Sequence, residues 1–450
     1  MATSTTPPAA PPRGALAGDR AEAVFRDFKT AYDEAAAVNE ASRCLYCDDP
    51  PCQSACPTRI DIPQFIRKIA SGNVEGAGRT IFDSNILGMS CARVCPVEVL
   101  CVGDCVYNKL GQPPIQIGKL QRYATDIALQ ENWQYYAAGA DTGKSVGLVG
   151  AGPASIAAAH ELRRRGHRAT IYDKRDVAGG LNTWGVAPYK MKGDAALEEL
   201  DWVLRIGGID IQLGVGVGDA EGDLPFAELE ARHDAVFLGF GLGEDSMLGV
   251  PGQDLDGVHG AVDFIECMKT GKLDLAWVRR AAVVGGGNTA IDAVRELKGL
   301  GIPDVTLVYR GSEAGMSGYA HEWKAAKAEG ITASWASQPL AFLGAGRVQS
   351  IHCARLGADK RPTGETFALS TDLVLLAIGQ GKLASMLQGV SGVAVERGVV
   401  VVDAETGATG RKGWYAGGDC ANGGKEVVNA VAEGKRAAIA IDHYLRGDAA

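Results

Sequence analysis

The chain has 450 residues, of which 46% are hydrophobic and 22% charged, and its net charge is −9 at pH 7. This composition is typical of a folded protein with room for about three domains. It contains no basic cluster and no basic stripe interleaved with aromatic residues, so we expect neither DNA nor any other nucleic acid as a partner. No stretch reaches the roughly 18 apolar residues of a membrane span.

Residues 1–20 are rich in Ala, Pro, Thr and Ser, which predicts a disordered tail because such a segment has little apolar surface to bury. The segment also lacks the apolar core of a secretory signal. We therefore predict a cytoplasmic protein.

Residues 21–140 carry short helical patterns, such as "IPQFIRKIASGNVEGAGRTI", and no convincing strand alternation. Eight of the eleven cysteines fall in this segment. The sequence predicts a small helical domain that depends on something other than a large apolar core.

The spacing of these cysteines bears on their chemistry. The first group is Cys-x2-Cys-x4-Cys-x3-Cys-Pro, and the second is Cys-x3-Cys-Pro-x4-Cys-x3-Cys. Disulfides are disfavoured in the cytoplasm, and zinc sites usually use separated pairs or histidine, whereas residues 1–159 contain no histidine. Compact thiolate runs ending in Cys-Pro are typical of iron–sulfur sites. Two [4Fe-4S] clusters are the favoured interpretation, with zinc and disulfides as alternatives.

Beyond residue 140 the pattern changes to buried-strand runs that alternate with helices. The runs are "SVGLVGAG", "RATIYDK", "DAVFLGFG", "RAAVVGGG", "DVTLVYR" and "DLVLLAIG". Continuous apolar runs of this kind predict parallel sheets covered on both faces. The fold class is therefore α/β, with a helical module followed by two Rossmann-like folds.

The first of these folds carries a dinucleotide-binding pattern. Gly150, Gly152 and Ser155 follow a strand and open a helix, so the backbone can approach a pyrophosphate at the helix N-terminus. Asp173 ends the next strand, 173 − 150 = 23 residues on, where a carboxylate can accept hydrogen bonds from ribose hydroxyls.

Two later segments complete this site. "VAGGLNTWG" contributes Gly180 and Leu181, and "AGGDCANGG" contributes Gly418 and Asp419. Taken alone, the second segment is more often a turn. Together with the first motif it resembles the two-part FAD site of glutathione-reductase-like flavoproteins. This implies a discontinuous FAD domain, over residues 141–272 and 371–450.

The second nucleotide fold is predicted over residues 273–370 and binds NADH or NADPH. The residues expected at this site are Gly285, Gly287, Asn288, Thr289, Ala290, Arg310 and Gly379. Arg310 ends a strand where an acid is usual, so it can accept a 2′-phosphate, but no second cation supports it. Two such sites imply hydride transfer from nicotinamide to flavin, which needs no protein acid or base. We therefore predict no catalytic side chain.

The cysteine module "EASRCLYCDDPPCQSACPT", with "NILGMSCARVCPVEVLCVGDC" and "PPIQIGKLQRYATD", resembles the N-terminal part of dihydropyrimidine dehydrogenase. The domain order is similar to that of the NAD(P)H-oxidising flavoprotein subunit in the bacterial two-subunit enzyme. The resemblance implies electron flow from NAD(P)H through FAD and the clusters. The partner would be a separate FMN-containing catalytic subunit that reduces uracil or thymine to the 5,6-dihydropyrimidine.

The same resemblance implies a set of cluster ligands. One cluster would be held by Cys44, Cys47, Cys52 and Cys105. The other would be held by Cys56, Cys95, Cys101 and the amide oxygen of Gln121. Cys91 would then be a non-ligand.

A second family shares this plan, the small subunit of glutamate synthase, which delivers electrons to a glutamate-forming large subunit. That family typically has a shorter spacing in the second cysteine group and Glu at the position of Gln121. The present sequence departs from it at both points.

Overall fold

The computed structural model of the protein describes residues 13–447. Its first part is helical, as the sequence predicted. The helices are α1 (Glu34–Ser42), α2 (Pro51–Ser54), α3 (Ile62–Ala70), α4 (Val74–Ser84), α5 (Gly88–Val94), α6 (Val106–Lys109) and α7 (Ile117–Gln130).

Helix α3 shows why this segment folds. Asp61 caps it by accepting a hydrogen bond from the Gln64 amide, which satisfies a donor that has no partner within the helix. Phe65 and Ile69, one helical turn apart, are both fully buried. The helix therefore presents an apolar stripe to a core that also contains several of the cysteines.

The rest of the chain alternates strands and helices. The strands are β1 (Ser145–Val149), β2 (Arg168–Asp173), β3 (Ile209–Leu213), β4 (Ala235–Leu238), β5 (Val258–Gly260), β6 (Arg280–Val284), β7 (Asp304–Val308), β8 (Thr332–Ser334), β9 (Ser337–Leu343), β10 (Ser350–Leu356), β11 (Pro362–Ser370), β12 (Leu373–Leu376), β13 (Val395–Glu396), β14 (Val399–Val400) and β15 (Trp414–Ala416). The helices are α8 (Pro153–Arg164), α9 (Leu181–Trp184), α10 (Gly193–Leu204), α11 (Phe226–Arg232), α12 (Ala261–Thr270), α13 (Asn288–Gly299), α14 (Ala320–Ala328), α15 (Asp419–Asn422) and α16 (Val427–Arg446). Among them, none combines the length and apolar character that a bilayer-spanning helix needs.

Two five-stranded parallel sheets form the framework. The first has the order β15-β4-β1-β2-β3 and the second the order β5-β12-β6-β7-β8. All six predicted apolar runs are strands of these sheets. The predicted discontinuity of the first fold is confirmed, because β15 returns from the far end of the chain to pair with β4.

The second sheet is wider than the segment predicted for it. Strand β12 pairs with both β5 and β6, and β5 and β12 lie outside the predicted range 273–370. Parallel strands run in the same direction, so the chain must cross from the end of one strand back to the start of the next. Helix α12, which follows β5 and precedes β6, forms such a crossover and therefore belongs to the second fold. The antiparallel sheet β11-β10-β9 was not predicted.

The packed structure begins within the segment predicted to be a disordered tail. The Ala178 amide donates to the Arg13 carbonyl at 2.9 Å, and Leu16 packs against the core of the first fold. Arg20 is buried and forms an ion pair with Glu22 at 2.9 Å. Residues 1–12 of the predicted tail lie outside the described residues.

Helices α8 and α16 are joined by a buried ionic cluster around Asp442. This carboxylate accepts hydrogen bonds from His167 at 2.9 Å, Arg165 at 2.9 Å and Arg446 at 2.6 Å. Burial alone would raise the pKa of Asp442, but the hydrogen bonds from these three groups outweigh it and lower the pKa to about 2. The ionised carboxylate therefore stabilises the fold above its ordinary pKa of 3.8, and this stabilisation is lost as the pH falls towards about 2.

We expect Asp442→Asn to lower the free energy of unfolding at pH 7 by about 2 kcal/mol, because the cluster loses the carboxylate that accepts from His167, Arg165 and Arg446. The thermal midpoint at pH 7 measures this loss. Asp219→Asn, at an exposed position, is the matched control. Equal midpoints for the two variants would show that the cluster does not stabilise the fold.

Candidate cofactor sites

The glycine turn after β1 leaves a helix N-terminus open. Gly152 precedes α8 and no side chain caps the helix, so its first N–H groups are available to an anion. Gly150 has φ +91°, and a Cβ there would lie 2.8 Å from the Phe240 Cα. Glycine is required at this position because a side chain would have no room.

Asp173 lies beside this turn, as its spacing predicted. Its two oxygens accept hydrogen bonds from the backbone amides of Ala151 at 2.7 Å and Arg175 at 2.9 Å. The carboxylate thus holds the turn in place, in addition to the ribose contact expected from the sequence.

The segment containing Gly180 and Leu181 approaches the same turn. Gly180 has φ +57°, and a Cβ on it would lie 2.7 Å from the Gly152 Cα. Leu181 starts α9 and is 37% exposed. Behind it, the side-chain oxygens of Asn182 and Thr183 are buried without a hydrogen-bond partner among the described residues. Buried polar atoms without partners are costly, so they indicate a place where a polar ligand fits.

Gly418 and Asp419 reach this site from the end of the chain. A Cβ on Gly418 would lie 3.0 Å from the Ala154 Cβ, in the first turn of α8. Burial raises the pKa of Asp419, whose carboxylate accepts from the Lys425 amide at 3.3 Å. The structure therefore brings these two residues and Gly152 to one end of the first sheet. Ser155 is fully buried in α8, where a small residue allows close packing.

The second glycine turn repeats this arrangement after β6. Gly287 precedes α13, which has no side-chain cap, and a Cβ on Gly285 would lie 2.3 Å from the Ala377 carbonyl oxygen. Asn288 accepts a hydrogen bond from the Tyr319 amide at 2.9 Å and so holds a loop beside the turn. Ala290 is fully buried.

The other residues predicted for this site lie around the same turn. Thr289 is half-buried, and Arg310 is exposed beyond the end of β7. Gly379, with φ +115°, follows the neighbouring strand β12. These positions suit a nucleotide site at the carboxyl edge of the sheet.

Four cysteines surround one cavity in the helical module. Its lining includes Cys44, Cys47, Cys52 and Cys105 together with apolar side chains such as Ile62 and Ile66. Burial, together with the neighbouring Cys105 and Cys44, raises the pKa of Cys52 to about 12. Within residues 13–447 no three His, Cys, Asp or Glu side chains converge closely enough to hold a single metal ion. The thiols instead surround a space, which suits a multi-iron cluster that distributes its ligands over several irons.

The second cysteine set lies next to the first. Burial raises the pKa of Cys101, as do the nearby Cys95, Cys56 and Cys52. Closely spaced buried thiols resist ionisation, and a bound cation compensates the thiolate charge. The eighth cysteine, Cys91, is also here: its hydrogen bond to Cys95, together with burial, raises the pKa of Cys95.

Gln121 is a buried residue of α7 beside this set. Its Nε2 donates to the Gly88 carbonyl at 2.7 Å, which directs Oε1 the other way. None of the hydrogen bonds in residues 13–447 reaches Oε1. An amide oxygen held in this manner can serve as a metal ligand, so the structure fits the fourth-ligand role implied by the resemblance.

Glu199 was missed by the sequence interpretation. It lies on α10 and is fully buried, and burial raises its pKa to about 7 although Ser90 and the Met89 amide favour the ionised form. Ala196 and Val203, at helical spacing on either side, are buried as well. The sequence signal that could have identified Glu199 is therefore a carboxylate on the apolar stripe of the helix "AALEELDWV".

Comparison with known proteins supports the interpretation of both the helical module and the nucleotide-binding part. Residues 20–133 match the model for dihydropyrimidine dehydrogenase domain II, 4Fe-4S cluster. Residues 144–434, more than half of the chain, match the model for pyridine nucleotide-disulphide oxidoreductases. The chain belongs to the pyridine nucleotide-disulphide oxidoreductase family. It is an oxidoreductase of the iron–sulfur and flavin type, as the sequence predicted.

Relatives of similar length extend the comparison. The NAD-dependent dihydropyrimidine dehydrogenase subunit PreT homolog of Salmonella typhi is 35% identical over 409 residues, which is 91% of this chain and 94% of the relative. PreT of Escherichia coli K12 is 34% identical over 421 residues, or 94% and 97% of the two chains. The glutamate synthase [NADPH] small chain of Halomonas elongata is 34% identical over 446 residues, or 94% and 93%.

Solved structures support the fold of the nucleotide-binding part. Thioredoxin reductase from T. acidophilum has a TM-score of 0.53 at 24% identity, and covers 66% of this chain and 98% of its own. An FprA variant from Mycobacterium tuberculosis has a TM-score of 0.55 at 21% identity, with coverages of 67% and 84%.

Proposed function

We propose that this chain is the NAD(P)H-oxidising subunit of a dihydropyrimidine dehydrogenase. It would hold FAD in the first nucleotide fold, NADH or NADPH in the second, and two [4Fe-4S] clusters in the helical module. A separate FMN-containing subunit would reduce uracil or thymine. The observation that carries this proposal is the occurrence, within one chain, of two neighbouring and partly buried cysteine sets beside two nucleotide folds.

When bound, FAD would supply the chemistry that links two-electron oxidation of the nicotinamide to single-electron reduction of iron–sulfur clusters. The chain's own residues bind and orient these groups. Gly150 and Gly152 admit a pyrophosphate to the N-terminus of α8, and Asp173 holds the turn while offering its remaining lone pairs to a ribose. Gly180 lets α9 close over the turn, where a larger residue would collide.

The second fold would bind the nicotinamide nucleotide in the same way. Gly285 and Gly287 leave room for the backbone to approach phosphate, and Asn288 fixes the adjacent loop. Arg310, exposed at the strand end, would contact the adenosine ribose or its phosphate. Leu181, Gly418 and Asp419 would lie against the flavin.

The cysteine sets would divide as the resemblance implies. Cys44, Cys47, Cys52 and Cys105 would hold one cluster, and their shared cavity supports this. Cys56, Cys95, Cys101 and Gln121 would hold the other, supported by the proximity of the three thiols and the free Gln121 oxygen. Because Cys52 lies in α2 and Cys56 follows just after the end of this helix, the short segment between them would keep the two clusters close together.

Gln121→Cys should keep both clusters and lower the reduction potential of the second, because a thiolate adds negative charge to the cluster. A redox titration followed by electron paramagnetic resonance measures this shift. Gln112→Cys, at an exposed position of the same module, is the control and should leave both potentials unchanged. An unshifted potential in Gln121→Cys would count against ligation by Gln121.

The partner assignment is tested with the purified holoprotein. Alone, it should reduce an artificial dye with NADH or NADPH and leave uracil untouched. Added to an FMN-containing partner subunit, it should support uracil reduction. Reduction of uracil by this chain alone would overturn the division of labour.

The 34% identity to a glutamate synthase small chain favours a second candidate function, electron delivery to a glutamate-forming large subunit. Isolation of the chain with its native partner separates the two candidates, because the partner is either the pyrimidine-reducing or the glutamate-forming subunit.

A further inference from the structure

Residues 180–182, called here the flavin-side segment because they approach the proposed FAD site, contact the helical module through a buried hydrogen bond. Asn182, two residues after Gly180, donates from Nδ2 to the Ser90 Oγ at 2.8 Å. Asn182 is 4% exposed and Ser90 is fully buried. The Asn182 Oδ1 is buried as well and has no hydrogen-bond partner among the described residues.

Glu199 fixes Ser90 from a third element. Its carboxylate accepts hydrogen bonds from the backbone amides of Met89 at 2.7 Å and Ser90 at 3.0 Å, and the Ser90 hydroxyl donates to it as well. These amides belong to the first turn of α5, where no other residue of the helix can accept from them. The hydroxyl and amide of Ser90 are thus both held by one carboxylate.

Helix α5 connects these hydrogen bonds to the second cysteine set. At its start, the Gly88 carbonyl accepts from Gln121 Nε2 at 2.7 Å. At its end, the Cys95 amide donates to the Cys91 carbonyl at 3.0 Å. The short helix therefore touches two of the ligands proposed for the second cluster, while its first turn is bonded to the flavin-side segment.

We propose that Glu199, Ser90 and Asn182 form a positioning junction that fixes the second cluster site relative to the flavin site and thereby sets the rate of electron transfer between them. This inference rests on the proposed function. Oxidation of one NAD(P)H to NAD(P)⁺ and a proton supplies two electrons, which leave singly through the clusters to the partner or to an added dye. The rate of electron transfer falls steeply as the distance between donor and acceptor grows. Small misplacements of reacting groups therefore lower the rate by large factors.

The test separates the two steps by anaerobic stopped-flow absorbance. The holoprotein is mixed with NADH or NADPH, whichever reduces the wild-type flavin faster, and flavin bleaching and cluster bleaching are followed separately. Ser90→Ala and Glu199→Gln remove parts of the junction. Glu198→Gln, the exposed neighbour on the same helix, is the matched control.

In both junction variants we expect cluster bleaching to slow by about tenfold or more while flavin bleaching keeps the wild-type rate. The iron content of each variant is measured together with the rates to show whether its clusters are retained. If Glu199→Gln loses its clusters, the rates of Ser90→Ala decide the test. If the clusters of Ser90→Ala bleached at the wild-type rate, or if flavin and cluster bleaching slowed equally, the proposed role of the junction would be wrong. A wild-type protein whose clusters do not bleach at all would instead overturn the proposed function.

Discussion

Cys105→Ser should lower the iron content of the anaerobically purified chain from about eight to about four atoms, because it removes a ligand from one of two [4Fe-4S] clusters. Cys105 lines the cavity that Cys44, Cys47 and Cys52 share. Serine is a harder ligand and replaces thiolate poorly on iron. Oxidation of NAD(P)H with a dye that accepts electrons directly from flavin should persist, since the first nucleotide fold is untouched.

Cys91→Ser is the matched control, since Cys91 is the clustered cysteine without a proposed ligand role. It should retain about eight irons. If Cys105→Ser kept its full iron while Cys91→Ser lost part of it, the division of cysteines between the two sets would be incorrect.

Gly180→Val should produce a chain that binds FAD poorly. A side chain there meets the Gly152 Cα at 2.7 Å and adopts φ +57°, a conformation that L residues with branched side chains avoid. A strain of about 3 kcal/mol corresponds to about 100-fold in FAD affinity. Flavin absorbance of the purified chain and a titration with FAD measure the loss.

Gly222→Val provides the control for Gly180→Val. Gly222 also has positive φ, +91°, but a Cβ there meets nothing within 4 Å. It should keep its flavin. Equal FAD affinity in the two variants would place the flavin away from the turn formed by Gly152 and Gly180.

The parts of the fold that the sequence predicted are those with continuous apolar runs. β1, β4 and β12 are buried at nearly every residue, so their sequences carry no ambiguity about which face is covered. β3 was missed because it is an edge strand whose residues alternate between buried and exposed. β9 and β10 also lack a continuous apolar run, because each buries mainly one face.

The candidate site was predictable where its chemistry is local in sequence. Glycine turns and cysteine spacing are short motifs, and the structure places Gly152 beside Gly180 and groups Cys44 with Cys105. Contacts between distant segments give no such signal. The Lys29 ammonium, for example, donates to the Cys95 carbonyl at 2.7 Å, and nothing in the sequence around Lys29 indicates this.

We propose that the clustered cysteines carry electrons from a flavin in the same chain. Analysis of iron, acid-labile sulfide, zinc and FAD in the anaerobically purified protein tests it most directly. Two [4Fe-4S] clusters require about eight iron and about eight sulfide per chain, and we expect one FAD beside them. Zinc in the cysteine module without iron or sulfide would contradict the account.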